Sequence, residues 1–198
     1  MSKYFKKLVG EGVYLSPWSG DDEEAELFAR WVNDFRVTDG VLISHQQHSI
    51  ISEQDFLRQA TGKPDADKHN FTIIDTETEL PIGNCSITHI DLVHRIGELG
   101  VMIGEESSRG KGFGGEALKL LLDYGFNYLG LNNICLKYVS NNIAAAKCYE
   151  KVGFKVVGNR RQAIFLNGKY YDSVEADFLA DEFRAKYGDV IKNKHLGV

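Results

Sequence analysis

Only three of the 198 residues are proline, so no proline-rich linker divides the chain. Cysteine is equally scarce. Cys85, Cys135 and Cys148 are odd in number and no two have a metal-site spacing, which argues against a disulfide framework and for a reduced, cytoplasmic setting. No apolar run approaches the length a bilayer demands. The N-terminal MSKYFKKLVGEGVYL lacks the apolar stretch of a signal peptide, so no membrane partner is expected. Positive charge is short as well: 23 Lys and Arg against 28 Asp and Glu leave a net charge of -5, which argues against a nucleic-acid partner needing a basic face. What remains is an ordinary apolar share of 43% in a length that suits one domain, residues 1–198.

Periodicity gives the order of elements. Val13-Tyr14-Leu15 reads as a first strand. Asp22-Glu23-Glu24 opens a helix whose Leu27, Phe28, Trp31 and Val32 share a face. A second helix is predicted from Ser52, with Phe56, Leu57 and Ala60 buried, ending near Gly62. Strands follow over 70–75, where polar and apolar residues alternate, and over 82–91 and 96–103. A long helix runs to about Leu129. Residues 133–140 read as a strand, and Asn142 opens a helix to Val152 with Gly153 at its left-handed end. A short strand at 154–157 precedes a hairpin turning at Asn167-Gly168. This order implies a mixed α/β sheet rather than a doubly wound one.

Residues 107–118, SSRGKGFGGEAL, carry the chemistry. A nucleotide P-loop fails here, because Lys111 is followed by glycine where that loop needs a magnesium-binding hydroxyl. Gly110, Gly112 and Gly115 match a dinucleotide fingerprint, but residues 130–140 hold no Asp or Glu to bind a ribose. A third reading is an anion cradle: glycines aim successive backbone N–H groups into one concavity at a helix N-terminus, with Arg109 and Lys111 adding positive charge. A plain flexible turn that starts a helix is the alternative.

Arg109 to Gly114 has the pattern [QR]-x-x-G-x-[GA]. Residues 142–154, NIAAAKCYEKVGF, have the pattern N-x-x-[AS]-x-x-x-Y-E-K-x-G-F. Together, in this order and with a strand between them, they resemble the two signatures of the GNAT superfamily of N-acetyltransferases. The resemblance covers roughly residues 10 to 180. The segment FLNGKYYD, 165–172, is similar to the branch that acetylates ribosomal-protein N-termini and polyamines.

The resemblance implies an α/β fold with a mostly antiparallel central sheet, a splayed parallel strand pair and helices on both faces. It implies acetyl-CoA as cosubstrate and no metal. Val101, Met102 and Ile103 would pair with the pantetheine arm, one N–H polarising the thioester carbonyl. Arg109, Gly110, Lys111, Gly112, Phe113 and Gly114 would hold the diphosphate, and Asn142 the pantetheine or the acceptor side of the cleft. Tyr149 would protonate the leaving thiolate, and Glu98 would take the amine's proton, directly or through water. The acceptor would be a small-molecule amine, such as a polyamine, or a protein N-terminus, and a homodimer is compatible with the resemblance. A non-catalytic acyl-CoA sensor and a nicotinamide-dependent oxidoreductase are the rival classes. His45, His48, His89, Asp91 and His94 read as solvated loop residues, and Trp18 and Trp31 as packing residues.

Overall fold

The computed structural model describes residues 3–41, 45–63 and 65–192. One eight-stranded sheet runs in the order β1-β2-β3-β4-β5-β6-β8-β7. Its strands are β1 (Leu8–Val9), β2 (Val13–Pro17), β3 (His69–Asp75), β4 (Pro81–Asp91), β5 (Ile96–Ile103), β6 (Asn133–Val139), β7 (Lys155–Leu166) and β8 (Lys169–Leu179). Every pairing is antiparallel except β5 with β6. The helices are α1 (Asp22–Val32), α2 (Phe35–Thr38), α3 (Ile50–Thr61), α4 (Phe113–Asp123), α5 (Ile143–Val152) and α6 (Ala180–Tyr187).

Strand alternation sorts β5 onto two cores. Leu99, Val101 and Ile103 join the core under α4, with Leu118, Leu121 and Phe126. Met102, one residue out of phase, packs with Phe28, Trp31 and Leu57 of α1 and α3. Helices therefore cover both faces, as expected. We call these the α4 face and the α1 face. Buried Glu24 fastens α1 to the sheet: it accepts hydrogen bonds from the Ser19 and Gly20 backbone N–H groups at 2.7 and 3.0 Å and from the Thr72 hydroxyl of β3.

Several local expectations need correction. A short strand β1 precedes Val13, and α2 and α6 flank the predicted helices. Ser49, not Ser52, caps α3, its hydroxyl accepting from the Ser52 N–H. Of the three residues predicted to be buried on α3, Leu57 is fully buried in the cluster with α1, while Phe56, a residue further back round the helix, is 51% exposed and keeps an edge contact with Trp18 at 5.7 Å. Residues 71–74 of β3 are all buried; the strand lies between β2 and β4 with a core on each face, so alternation carries no inside–outside signal there. The strand expected at 154–157 is one long bulged strand, β7.

The helix predicted to reach Leu129 changes pitch. After Asp123 it widens into a π turn over Tyr124–Tyr128, with the Leu129 N–H reaching the Tyr124 carbonyl. Gly125 lets this turn lie close against β6, where a Cβ would stand 2.6 Å from Ile134 Cδ1. Asp123, fully buried at the junction, accepts from the backbone N–H groups of Val190 and Ile191 at 2.7 and 2.8 Å and from Asn127 at 2.8 Å. It thereby holds the segment after α6. Asp123→Ala would leave those N–H groups without an acceptor, at about 1–3 kcal/mol each. A urea unfolding midpoint lowered at unchanged slope is the expected outcome; an unchanged midpoint would contradict the clasp.

Candidate active site

The site begins where β5 and β6 stop pairing. Their parallel register runs Ile96 with Asn133, Gly97 with Ile134 and Glu98 with Cys135, and ends there. Both strands continue, β5 to Ile103 and β6 to Val139. A gap therefore opens between them, its apex at Glu98 and Cys135.

Which backbone groups face the gap follows from alternation. The Gly104 N–H donates to the Ile82 carbonyl, on the β4 side. The Arg95 carbonyl accepts from the N–H groups of Asn132 and Asn133, on the β6 side. Odd positions of β5 thus aim at the gap and even ones at β4. Val101 and Ile103 present backbone groups to the gap, whereas Met102, paired with Asn84, directs its N–H to β4. Of the three expected pantetheine partners, Met102 contributes its side chain to the α1-face core instead.

At the wide end lies the glycine turn. Gly110 and Gly112 have φ of 73° and 92°, and a Cβ on either would meet open space. Gly112 caps α4 in the left-handed conformation and offers no side chain. The N–H groups of residues 110–115 donate to no other described residue. Uncapped donors at a helix N-terminus form a concavity suited to an anion, with exposed Lys111 at its rim. Phe113 and Gly114 begin the helix, Gly114 lying close to Ile103 of β5.

Arg109 bonds within the chain beside this turn. Its guanidinium donates to the carbonyls of Ile103 at 3.2 Å, Gly104 at 3.2 Å and Arg36 at 3.0 Å. Those three bonds lock the turn onto the end of β5 and onto α2 and leave two guanidinium N–H groups over. Asn142 works similarly at the end of β6. Its Oδ1 caps α5 by accepting from the Ala145 N–H at 3.0 Å, and its Nδ2 donates to the Gly40 carbonyl at 3.4 Å. The segment carrying α2 therefore bridges the mouth of the gap from strand to strand. Asn167 at the tip of the β7–β8 hairpin donates to Asp39 at 3.1 Å and closes the bridge on that side.

The two titratable candidates lie on opposite faces. Glu98 shares the α1 face with Met102. Its Oε2 accepts from Lys137 Nζ of β6 at 2.9 Å, and the bond holds the Lys137 ammonium above its ordinary pKa. His89 Nδ1 stands 3.8 Å from the same oxygen. Glu98 Oε1 has no partner among the described residues. Tyr149 projects from α5 on the α4 face and packs against Tyr138 and Phe154, ring centroids 5.4 and 6.0 Å away. Burial pushes its phenol up to about 12, so it keeps its proton at neutral pH. Its neighbour Cys148 is also pushed up by burial, and Cys135 likewise, which makes neither a ready nucleophile.

Sequence reasoning missed Lys137 and the α2 bridge. Alternation along 133–139 puts Lys137 on the polar side of its strand, but only the β5–β6 register names Glu98 as its partner. Of the histidines, His48 is not a solvated loop residue: its Nδ1 lies 2.6 Å from Glu53, which is 4% exposed. Trp31 packs against Phe28, and its Nε1 donates to Glu105 at 2.9 Å. Among the described residues, no group of three or more His, Cys, Asp or Glu is placed to hold a metal ion, and no helix is long and apolar enough to cross a membrane.

A glycine-built anion cradle leading into a splayed parallel strand pair defines a class. Residues 13–155 match the model of the acetyltransferase (GNAT) domain, and the chain belongs to that family of N-acetyltransferases. It is 34% identical over 161 residues to the human alpha/beta-tubulin-N-acetyltransferase 9, covering 76% of this chain and 75% of that one. It is 32% identical over 105 residues to the spermidine N(1)-acetyltransferase of Escherichia coli K12, covering 53% and 56%. Its fold is similar to that of the spermidine N-acetyltransferase from Vibrio cholerae, solved in complex with CoA and spermine. The TM-score is 0.78 at 22% identity, over 87% of this chain and 98% of that one.

The family uses acetyl-CoA, and the turn fits its diphosphate through backbone donors. A side chain at Gly112 would fill that concavity and strain a φ of 92°. CoA should raise the melting temperature of the wild-type chain by mass action. In Gly112→Val the shift at equal CoA should fall to less than half. An equal shift in both would place the diphosphate elsewhere.

Proposed function

We propose that this N-acetyltransferase passes acetyl directly from acetyl-CoA to a primary amine across the β5–β6 gap. Glu98 acts as base and Tyr149 as acid. The observation that carries the reading is their placement: they lie on opposite faces of the sheet and flank the one place where neighbouring strands β5 and β6 separate. Val101 and Ile103 offer main-chain groups along the gap, and residues 110–115 offer donors to the diphosphate at its wide end. The thioester then lies in the gap with its sulfur toward Tyr149. The amine approaches from the α1 face.

The proton balance follows. Glu98 takes one ammonium proton, directly or through a water, and passes it to solvent. The free amine attacks the carbonyl carbon while a gap-facing N–H steadies the developing oxyanion. Collapse breaks the C–S bond, and Tyr149 gives its proton to the departing sulfur. The phenolate recovers a proton as the nitrogen sheds its second. No step is assigned to a metal ion, and no acyl-enzyme forms. Cys148 has no base beside it among the described residues, and its thiol is held in the protonated form by burial. Three unpaired cysteines support a reduced, cytoplasmic setting.

Tyr149→Phe should lower kcat by roughly 100-fold, the usual contribution of a general acid, while KM for acetyl-CoA stays within about twofold; a kcat near wild type in a thiol-release assay would remove the role. The raised phenol adds a pH prediction. Its folded value of about 12 lies above its ordinary value of 10.0, so the acid form persists below pH 10. Turnover should show no alkaline loss attributable to Tyr149 between pH 7 and 10. Glu98→Gln should cost most at low pH, where more of the amine is protonated. A pH profile parallel to wild type would assign that step to water alone.

A further inference from the structure

The α1 face continues beyond Glu98 into a groove lined by Lys137, Arg160, Ile164, Ser173 and Glu175. Its floor is set by register. Lys137 of β6 lies opposite Glu175 of β8, which lies opposite Gly158 of β7; Val139, Ser173 and Arg160 form the next such row. Directly opposed residues share a face. The neighbours Val174, Ala176 and Phe178 fill the α4-face core, so Ser173, Glu175 and Arg160 project to the α1 face with Lys137 and Glu98. Register shifts between Val156 and Gly158 and between Arg160 and Ile164 bulge β7 away from β8 and hollow the groove.

The two cations, Lys137 and Arg160, and the two carboxylates, Glu98 and Glu175, cancel in number but are unevenly placed. Lys137 is neutralised by Glu98 at 2.9 Å and feels Glu175 as well. Arg160 forms no ion pair among the described residues. Both carboxylates flank Lys137 at the Glu98 end, while Arg160 stands at the other end without an ion pair, so the groove suits an acceptor whose amine lies at the Glu98 end and which carries negative charge beyond it.

The spacing sets where that charge sits. From Glu98 the path crosses β6 and β8 to β7, at about 4.8 Å per strand, and advances from the Cys135 row to the Val139 row at about 3.3 Å per residue. The two Cα atoms are thus roughly 19 Å apart. Side chains leave a strand roughly upright; leaning toward one another over the groove, Glu and Arg can cover about 4 and 6 Å of this span, and the about 9 Å then left is two to three extended residues. We infer that the acceptor is a protein or peptide N-terminus with an acidic side chain at its second or third residue, read by Arg160. This inference rests on Glu98 marking the amine end of the site. Arg160 is a specificity residue, exposed on an edge strand, and its replacement leaves the core intact.

The test is a charge swap. Thiol release is measured with Ala-Glu-Glu-Ala amide, Ala-Lys-Lys-Ala amide and 1,4-diaminobutane. The wild-type chain should favour the Glu peptide over the Lys peptide at least tenfold in kcat/KM, and over the diamine. Arg160→Glu should invert the peptide preference. A wild-type preference for the Lys peptide or the diamine, or a peptide ratio unmoved by Arg160→Glu, would overturn the inference while leaving the acetyltransferase reading in place. If no amine releases thiol, that reading fails instead. The groove is then judged by equilibrium binding of the two peptides, C-terminally labelled, to the CoA-loaded chain: the Glu peptide bound more tightly, with the order reversed in Arg160→Glu, upholds it, and equal binding in both chains overturns it.

Discussion

Everything at this site depends on a hydrogen-bond ladder that stops. β5 and β6 pair through Glu98 and Cys135 and no further. The main-chain groups of Val101 and Ile103 are thereby withheld from the sheet. Unpaired backbone groups inside a protein are costly, so a strand pair left open this way needs fixed ends and something to fill it. Arg109 and Asn142 supply the fixing. Each ties one diverging strand end to the α2 segment through main-chain carbonyls, and the hairpin tip adds Asn167 to Asp39. In the function proposed above, an extended cosubstrate arm is the filling and the α4 N-terminus receives its charged end.

The gap also solves a problem of geometry. A central sheet separates its two faces, so a base on one and an acid on the other cannot ordinarily act on one bond. Between splayed strands they can. Leu99, Val101 and Ile103 hold the α4 face while Met102 holds the other, with Glu98 in phase with it, so successive residues of one strand face opposite sides of the gap. The ion pair to Lys137 spans the apex of the gap and couples Glu98 to β6, on the way to the groove along β8 and β7.

The candidate site was unevenly legible. The glycine turn could be read because its shape is a property of the backbone. Gly110 and Gly112 adopt positive φ with open space around them, and glycine spacing in the sequence states that directly. Tyr149 was legible as part of a signature on one helix. Arg109 was legible as a charge beside the turn, but not its bonds to the carbonyls of Ile103, Gly104 and Arg36, which only the folded chain brings beside it. Lys137 was not legible at all, because its partner is 39 residues away and only the register of a parallel pair brings them together.

The sequence by itself determined the local devices. It set the cap at Asn142, the turn at Asn167-Gly168, the bare N-terminus of α4 and the alternation that divides β5 between two cores. These rest on backbone conformation and on period, which neighbours along the chain specify. The tertiary structure decided what those devices face. The lengths of β7, the burial of β3 on both faces, the π turn over 124–128 and the row from Lys137 to Arg160 all come from pairings between distant segments. No local pattern encodes a register, since sliding one strand past another changes every partner without changing a residue.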